Sequence, residues 1–484
     1  MVEITIIDEV SGKLEAPLDI FCEVVEAMKL PEKGAFMTAA FQSGNWDGKV
    51  SLMDEDGFFD VFMIDIIEKV LQRNGIRDED IKFTDMRLPL KHSREELPDT
   101  IDKDFFSDYG VELWDHQVRF FNKFIDAECG IWDASTSSGK TLAMGGLAKL
   151  YDKFYPSLHL TVNQKLANDA AKVFKTLELD YVVITAKTPV KKRQELINTH
   201  RHIITTRKLA MNMKDCFDEF QGVLSLDESH IYGEEFHAFA KEKLGDCPIR
   251  LGLSGSLPDK DKLKLQRIKN VINGDVIDEV LPGYLMEKGY ASTIDVRMIE
   301  IDDLIGKRKM FEAGDEWCWE MELAHYGTSE RISVIGDFIE KNCPRNTLII
   351  TWNSTALELA KYLGCDVIVD STPQAEREEY FAKFDEVDDY RLVVTPGTGG
   401  FGVSIDLLYY GVLLDIGENP SVAGQGIGRF MRKDHVNGLK DHSVVWDIFS
   451  NLKSGKKQAT GRRAYYKKRG IPFQPKYGKL KVTE

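Results

Sequence analysis

The sequence predicts an α/β protein: two parallel-sheet domains in tandem, preceded by a small N-terminal α+β domain. Three observations carry this. After residue 105, short apolar runs at 158–162, 181–185, 202–205 and 222–226 are mostly followed by helical segments, the pattern of a parallel sheet covered by helices. A second such series runs through 347–351, 366–369, 391–395, 411–415 and 443–446. Before both, residues 1–90 mix short strand-like runs (3–7, 49–53) with helical ones (18–28, 61–74). A chain of 484 residues has room for about three domains.

The expected boundaries follow from composition. Residues 1–90 form the accessory α+β domain, and 91–104, part of a polar stretch with two prolines and many charges, is a linker. The first parallel-sheet domain spans 105–265 and the second 296–450. The run 258–289 is Lys-rich, 266–295 reads as linker and crossover, and 451–484 as a basic C-terminal tail. No internal repeat or low-complexity block interrupts this order.

With 43% hydrophobic and 29% charged residues, the chain has the composition of a globular protein with sizeable cores, not of a disordered or collagen-like one. No stretch approaches the roughly 18 apolar residues of a membrane span. The first ten residues carry acids and no basic cluster, unlike a secretion signal. Seven cysteines are dispersed with no CxxC pair, which points to reduced thiols and a cytoplasmic location, not to a disulfide frame or zinc site.

The net charge of −16 disfavours nucleic acid on its face, but it is unevenly spread. Residues 1–100 hold 11 Lys/Arg against 22 Asp/Glu, while 451–484 hold 11 against a single acid, Glu484. Such a basic segment on an acidic protein is a local footprint for phosphate. Tyr465, Tyr466, Phe473 and Tyr477 interleave with these charges, where they could stack on bases.

Ala134-Ser135-Thr136-Ser137-Ser138-Gly139-Lys140-Thr141 sits between an apolar strand and a helical run, with Ala where the phosphate-loop pattern has its first glycine. Backbone N–H groups at a helix N-terminus favour anions, and Gly139 allows close approach. In this pattern Lys140 is a point charge for the β- and γ-phosphates and the Thr141 hydroxyl a Mg²⁺ ligand. A Ser/Thr turn capping a helix would look similar. The second half of the chemistry lies 87 residues on, where the apolar run to Leu226 ends in Asp227-Glu228-Ser229-His230. Strand-end carboxylates lie at the edge where α/β proteins bind ligands. Asp227 is placed to hold Mg²⁺ and Glu228 to orient and deprotonate the attacking water.

The strings ASTSSGKT and DESH together resemble motifs I and II of superfamily 2 helicases. Further motifs follow in order. Gln117 occupies the position of that family's adenine-reading glutamine, and Leu253-Ser254-Gly255-Ser256 resembles motif III. Asn163-Gln164-Lys165 and Thr205-Thr206-Arg207 resemble motifs Ia and Ib, which imply contacts to the nucleic-acid backbone. Thr351-Trp352-Asn353-Ser354 matches the position of motif IV, and Thr395 opens a motif V that runs through Gly402. Ser404 stands where much of the family has Asp, with Asp406 two residues later. Gln425-Gly-Ile-Gly428-Arg429-Phe-Met-Arg432 resembles motif VI, QxxGRxxR. Spaced by three, Arg429 and Arg432 would share one face of a helix. The resemblance implies that they reach the nucleotide from the second domain as arginine fingers. It also implies a fold of two RecA-like domains using ATP and Mg²⁺.

Phe41-Gln-Ser-Gly44-Asn45-Trp46-Asp47-Gly48-Lys49 resembles a segment of the phage UvsW-type helicases. Physically it reads as a turn entering a strand, with Trp46 a core anchor. The likeness runs through 1–450. It implies a monomeric, phage-encoded enzyme of the bacterial host cytoplasm that remodels branched or forked DNA. Its reactions would be Holliday-junction branch migration, fork regression and unwinding of R-loops and D-loops in recombination, repair and replication. Single strands and RNA–DNA hybrids are the further partners implied. Two alternatives stand beside this reading: an RNA helicase, and a nucleic-acid-binding scaffold without turnover. No additional acidic cluster suggests a two-metal nuclease.

Overall fold

A computed structural model describes residues 2–302, 328–399, 405, 407–417, 420–433, 438 and 440–482. The chain divides into two compact units, residues 1–134 with 139–279 and residues 135–138 with 280–484. Gly402, Ser404 and Asp406 of the motif V string lie outside the described residues, as do the side chains of Asn353 and Gln425.

The first unit opens with strands β1 (Val2–Ile6), β2 (Ser11–Glu15), β3 (Lys29–Pro31), β4 (Lys49–Ser51), β5 (Phe58–Asp60) and β6 (Ile81–Asp85). Four of them form a sheet in the order β5-β2-β1-β6, with β1 antiparallel to β2 and parallel to β6. Burial alternates along β1, so Val2, Ile4 and Ile6 face one core with the helices Leu18–Ala27 and Ile64–Arg73. Strands β3 and β4 pair separately, and Gly44–Gly48 turns the chain into β4. Gly48 adopts φ +76°, and a Cβ there would meet the Phe41 ring at 2.9 Å. Asp47 accepts a hydrogen bond from the Lys49 N–H at 3.0 Å. Trp46 is not the core anchor expected of it: the indole is half-buried and donates to the Lys49 carbonyl at 2.7 Å. An indole N–H needs a partner, and a turn carbonyl supplies one where an apolar core would not.

Next come β7 (Cys129–Ala134), β8 (Ser157–Thr161), β9 (Tyr181–Ile184), β10 (His202–Thr206), β11 (Val223–Leu226), β12 (Ile249–Ser254) and β13 (Val276–Val280), in the sheet order β13-β7-β12-β11-β8-β10-β9. The ladders linking β7 through β12 are parallel. Their near-continuous apolar runs fit strands covered on both faces. The small N-terminal domain is fastened to this sheet's helices through Asp60, which forms an ion pair with Lys241 at 2.5 Å and accepts from Asn270 at 2.6 Å.

Two segments expected as linkers are structured. Between 91 and 104, His92, Leu97 and Ile101 are buried, so the stretch packs along the first unit despite its polar composition. The Lys-rich crossover contains the helix Lys262–Ile272, then β13 and the helix Pro282–Glu287. There the Lys residues form the outer face of the first helix, while Leu263, Ile268, Val271 and Ile272 are buried.

The second unit contains β14 (Thr293–Asp302), β15 (Thr347–Ile350), β16 (Asp366–Ile368), β17 (Arg391–Val394), β18 (Tyr410–Leu414), β19 (His442–Ser450) and β20 (Phe473–Lys481). They form a parallel sheet ordered β16-β17-β15-β18-β19-β14-β20. The basic segment is therefore folded: Lys453–Lys468 is a helix, and β20 closes the edge of the sheet. Buried Arg462 anchors the helix by donating to Asp447 at 2.7 Å and to the Gly417 carbonyl at 2.6 Å. Tyr466, expected to be free for stacking on bases, is instead fully buried and donates its hydroxyl to Asp447 at 2.8 Å. Phe473 packs against it with ring centroids 5.7 Å apart.

Candidate functional site

The C-terminal ends of β7, β12 and β11, adjacent in the first sheet, bring three of the singled-out segments to one edge. Strand β7 ends at Ala134, residues 135–138 turn, and Gly139 caps the helix Lys140–Tyr151. Gly139 has φ +87°, and a Cβ on it would lie 2.1 Å from Gln117 Nε2, so both backbone and space demand glycine. Ser137 also adopts a left-handed conformation, φ +68°. This places strain in the turn that precedes the helix N-terminus. Gln117 is buried and takes the Trp114 N–H on its Oε1 at 2.9 Å, so its carboxamide is fixed against the glycine of the loop.

Lys140 Nζ donates to the Ala134 carbonyl at 3.0 Å and lies 3.8 Å from Glu228 Oε1. Thr141 is half-buried in the first turn of the same helix. Asp227 follows the last residue of β11. Burial, and then the neighbouring Glu228 charge, push its carboxyl above the usual range, with Lys140 opposing. Glu228 sits in the left-handed region at φ +49°, a departure from the strand that carries its carboxylate toward His230 Nδ1 at 3.3 Å. His230 Nδ1 is also 3.0 Å from Ser254 Oγ, and its Nε2 is 3.4 Å from Ser256 Oγ. Burial holds this imidazole below its ordinary pKa, favouring the neutral ring. A continuous polar chain thus runs from Lys140 through Glu228 and His230 to the end of β12.

This donor set fits a nucleotide phosphate with magnesium. Among the described residues no group of three or more His, Cys, Asp or Glu could hold a metal by itself. A site with one carboxylate and one hydroxyl suits an ion that takes its other ligands from phosphate and water. Ser135 Oγ is buried without a hydrogen-bond partner, as expected of a loop whose polar groups await an anion.

The other predicted positions are scattered more widely. Asn163 caps the helix Gln164–Thr176, its Oδ1 accepting from the Leu166 N–H at 3.0 Å, and Gln164 donates to Asn168 at 3.1 Å. Lys165 is exposed beside them. The Thr205 hydroxyl turns into the sheet and donates to the Ile184 carbonyl at 3.0 Å. Thr206 caps the next helix, and Arg207 donates to the Ile231 carbonyl at 2.7 Å. In the second unit Thr395 is buried and shares a 2.8 Å hydrogen bond with Thr398. Trp352, at the motif IV position, donates to the Asp415 carbonyl at 2.6 Å.

Arg429 is buried near the end of the helix Pro420–Phe430, and its Nη1 has no hydrogen-bond partner. Burial, and then Arg432, lower its pKa to about 9. Arg432 lies two residues beyond that helix, so the two guanidiniums do not share a helical face as their spacing suggested. Sequence reasoning missed two supports of this region. Arg331 pairs with Asp415 at 2.6 Å, and Asp415 in turn accepts from the Ser450 N–H at 3.2 Å. An acid closing an apolar strand was the available signal for Asp415; Arg331, in a mixed helix, gave none.

Residues 330–434 match the model of the helicase conserved C-terminal domain. Over 481 residues the chain is 21% identical to the ATP-dependent DNA helicase uvsW of Enterobacteria phage T4, covering 94% of this chain and 91% of that protein. The chain thus carries a helicase C-terminal domain and resembles UvsW, a superfamily 2 helicase, over nearly its whole length. The crystal structure of T4 UvsW is 15% identical with full coverage of both chains and a TM-score of 0.44. S. cerevisiae Dbp5, solved bound to RNA and ADP BeF3, is 14% identical, with 78% of this chain and 93% of that one covered and a TM-score of 0.55. The tandem parallel sheets share the fold of that helicase and are the RecA-like pair expected from the motifs. Among the described residues no helix is long and apolar enough to cross a membrane.

Proposed function

We propose that this helicase couples ATP hydrolysis to the remodelling of branched DNA: branch migration of four-way junctions, fork regression and unwinding of R-loops and D-loops. The setting is phage recombination, repair and replication in the bacterial host cytoplasm, with the enzyme acting as a monomer. The observation that carries the reading is the alignment of Lys140, Glu228 and His230 at one sheet edge, with Lys140 Nζ 3.8 Å from Glu228 Oε1. UvsW-like sequence extending over 94% of the chain supports the DNA branch of the reading.

In this account the phosphate loop 135–139 presents N–H groups to the phosphates, Lys140 neutralises their charge, and Gln117 reads the adenine. Thr141 and Asp227 would hold Mg²⁺, which would supply charge neutralisation between the terminal phosphates. Glu228 takes the proton of the attacking water. The neutral His230 keeps Glu228 oriented and links it to Ser254 and Ser256. Arg429 and Arg432, with Gln425, supply positive charge for the developing charge on the transferred phosphoryl group. Arg429 is suited to this because its guanidinium is desolvated and carries an unused donor. Asn163, Gln164, Lys165, Thr205, Thr206, Arg207, Asn353 and Thr395 contact the nucleic-acid backbone, and Gly402 belongs to the nucleotide site.

The test is a strand-exchange panel of four-way junction, fork, R-loop and blunt linear duplex, each with and without ATP. The reading expects ATP-dependent processing of the first three and little on the last. Equal activity on the blunt duplex would remove the branched-DNA assignment while leaving the ATPase intact.

A further inference from the structure

We infer that the second unit carries an additional phosphate-backbone binding groove, built by the helix Lys453–Lys468 and the edge strand β20, which extends the helicase reading beyond its motifs. A groove of about 520 Å³ opens between this helix and the β14–β20 pair. Its charged lining is Lys456, Arg463, Lys476, Lys479 and a single acid, Glu300. Among the described residues Glu300 pairs only with Lys479, at 3.3 Å. Lys456 and Lys476 form no ion pair among the described residues. Arg463 is held in place by the Pro475 carbonyl, to which its Nη2 donates at 3.1 Å, and by the Phe449 ring at 5.4 Å. Its Nε is buried and has no hydrogen-bond partner. A guanidinium fixed on the groove wall, flanked by flexible ammonium groups, suits phosphate oxygens.

The position separates this groove from the motif surfaces. Strand β20 is the outermost strand, and β18, β19 and β14 stand between it and β15, the strand that leads to Trp352. The aromatic in its described lining, Phe449, is buried with the Arg463 guanidinium over its ring, and Tyr466, which could have stacked on a base, is buried beneath the helix. The ligand is therefore the phosphodiester backbone of nucleic acid, held without base readout. A second grip remote from the motor track would keep one arm of a branched substrate attached while the motif residues release and rebind.

The test uses the full chain without nucleotide. Binding of a labelled mixed-sequence oligonucleotide, in single-stranded and duplex arms, is titrated across a salt series. A Lys456→Ala/Lys476→Ala/Lys479→Ala variant should bind at least about tenfold more weakly. Its plot of log affinity against log salt should flatten by about 2 for single strands or nearer 3 for duplex, whichever occupies the groove. The matching triple Lys→Arg variant should bind as the wild type does. ATP hydrolysis without DNA should be unchanged in both. Should the triple Ala variant fail to fold, Lys476→Ala alone, on the exposed edge strand, should flatten the slope by about 1. Wild-type affinity and slope in the variant of lysines to alanine would overturn the groove. If nucleic acid fails to stimulate the wild-type ATPase, the helicase reading fails instead, while the salt slope still reports on the groove.

Discussion

At Glu228 one oxygen-to-nitrogen exchange separates binding from turnover. Glu228→Gln keeps the size of the side chain and its contact with His230 but removes the base. Steady-state ATP hydrolysis should fall by about 10² or more, as loss of a general base does. Nucleotide affinity should stay within a few-fold. Normal hydrolysis in this variant would take Glu228 out of the chemistry. Arg429→Ala should likewise lower the hydrolysis rate by about 10³ with little change in nucleotide binding. An unchanged rate would make Arg429 a packing residue. The residue scale is also where the sequence was most legible. The phosphate loop and the Asp227-Glu228 pair are contiguous strings whose chemistry depends on local geometry, and the structure brings Lys140 to Glu228. The partnership of His230 with Ser254 and Ser256 was hidden because it joins strand ends 24 residues apart that meet only through sheet order.

Elements show where local reading stops. The helix Lys453–Lys468 and β20 were concealed by charge: the eleven basic residues of 451–484 suppress any apolar period, and Pro475 argues against a strand. The structure accommodates both. Strand β20 is an edge, where a missing N–H is tolerated, and its pairing with β14 shifts register between Arg297 and Ile299. The anchoring is one buried ion pair, Arg462 with Asp447. Arg462→Ala would leave Asp447 buried without its partner and should cost about 3–5 kcal/mol in denaturant unfolding of this unit. A loss under about 1 kcal/mol would show that the helix is held by its apolar face alone.

The first sheet contains a second buried polar device. Ser157 Oγ lies 2.6 Å from both His159 Nε2 and His202 Nδ1, and His202 Nε2 is 3.1 Å from Asp152. Burial holds both imidazoles below their ordinary pKa; the proximity of His202 adds to this at His159, while Asp152 opposes it at His202. A histidine depressed in the folded state contributes its stability above the unfolded value of about 6.5 and loses it as pH falls below that. Unfolding free energy should therefore drop between about pH 7.5 and 5.5, and His159→Gln should drop less. Parallel pH profiles for the two proteins would show that His159 does not titrate on unfolding.

For the whole molecule the claim is that ATP hydrolysis at one sheet edge drives movement of DNA strands. The two RecA-like sheets were legible from the repeated strand–helix rhythm, since each buried parallel strand must read as an apolar run. The acidic N-terminal domain fastened through Asp60 was visible as an α+β region but not as a partner of helices 180–210 residues away, because no local pattern encodes Lys241 or Asn270 as its contacts. The most direct measurement follows a labelled four-way junction under single-turnover conditions, with wild type and Glu228→Gln side by side and ATP present. The account predicts ATP-dependent conversion of the junction to forked products by the wild type, and binding without conversion by the variant. Conversion by the variant at the wild-type rate, or by the wild type without ATP, would contradict it.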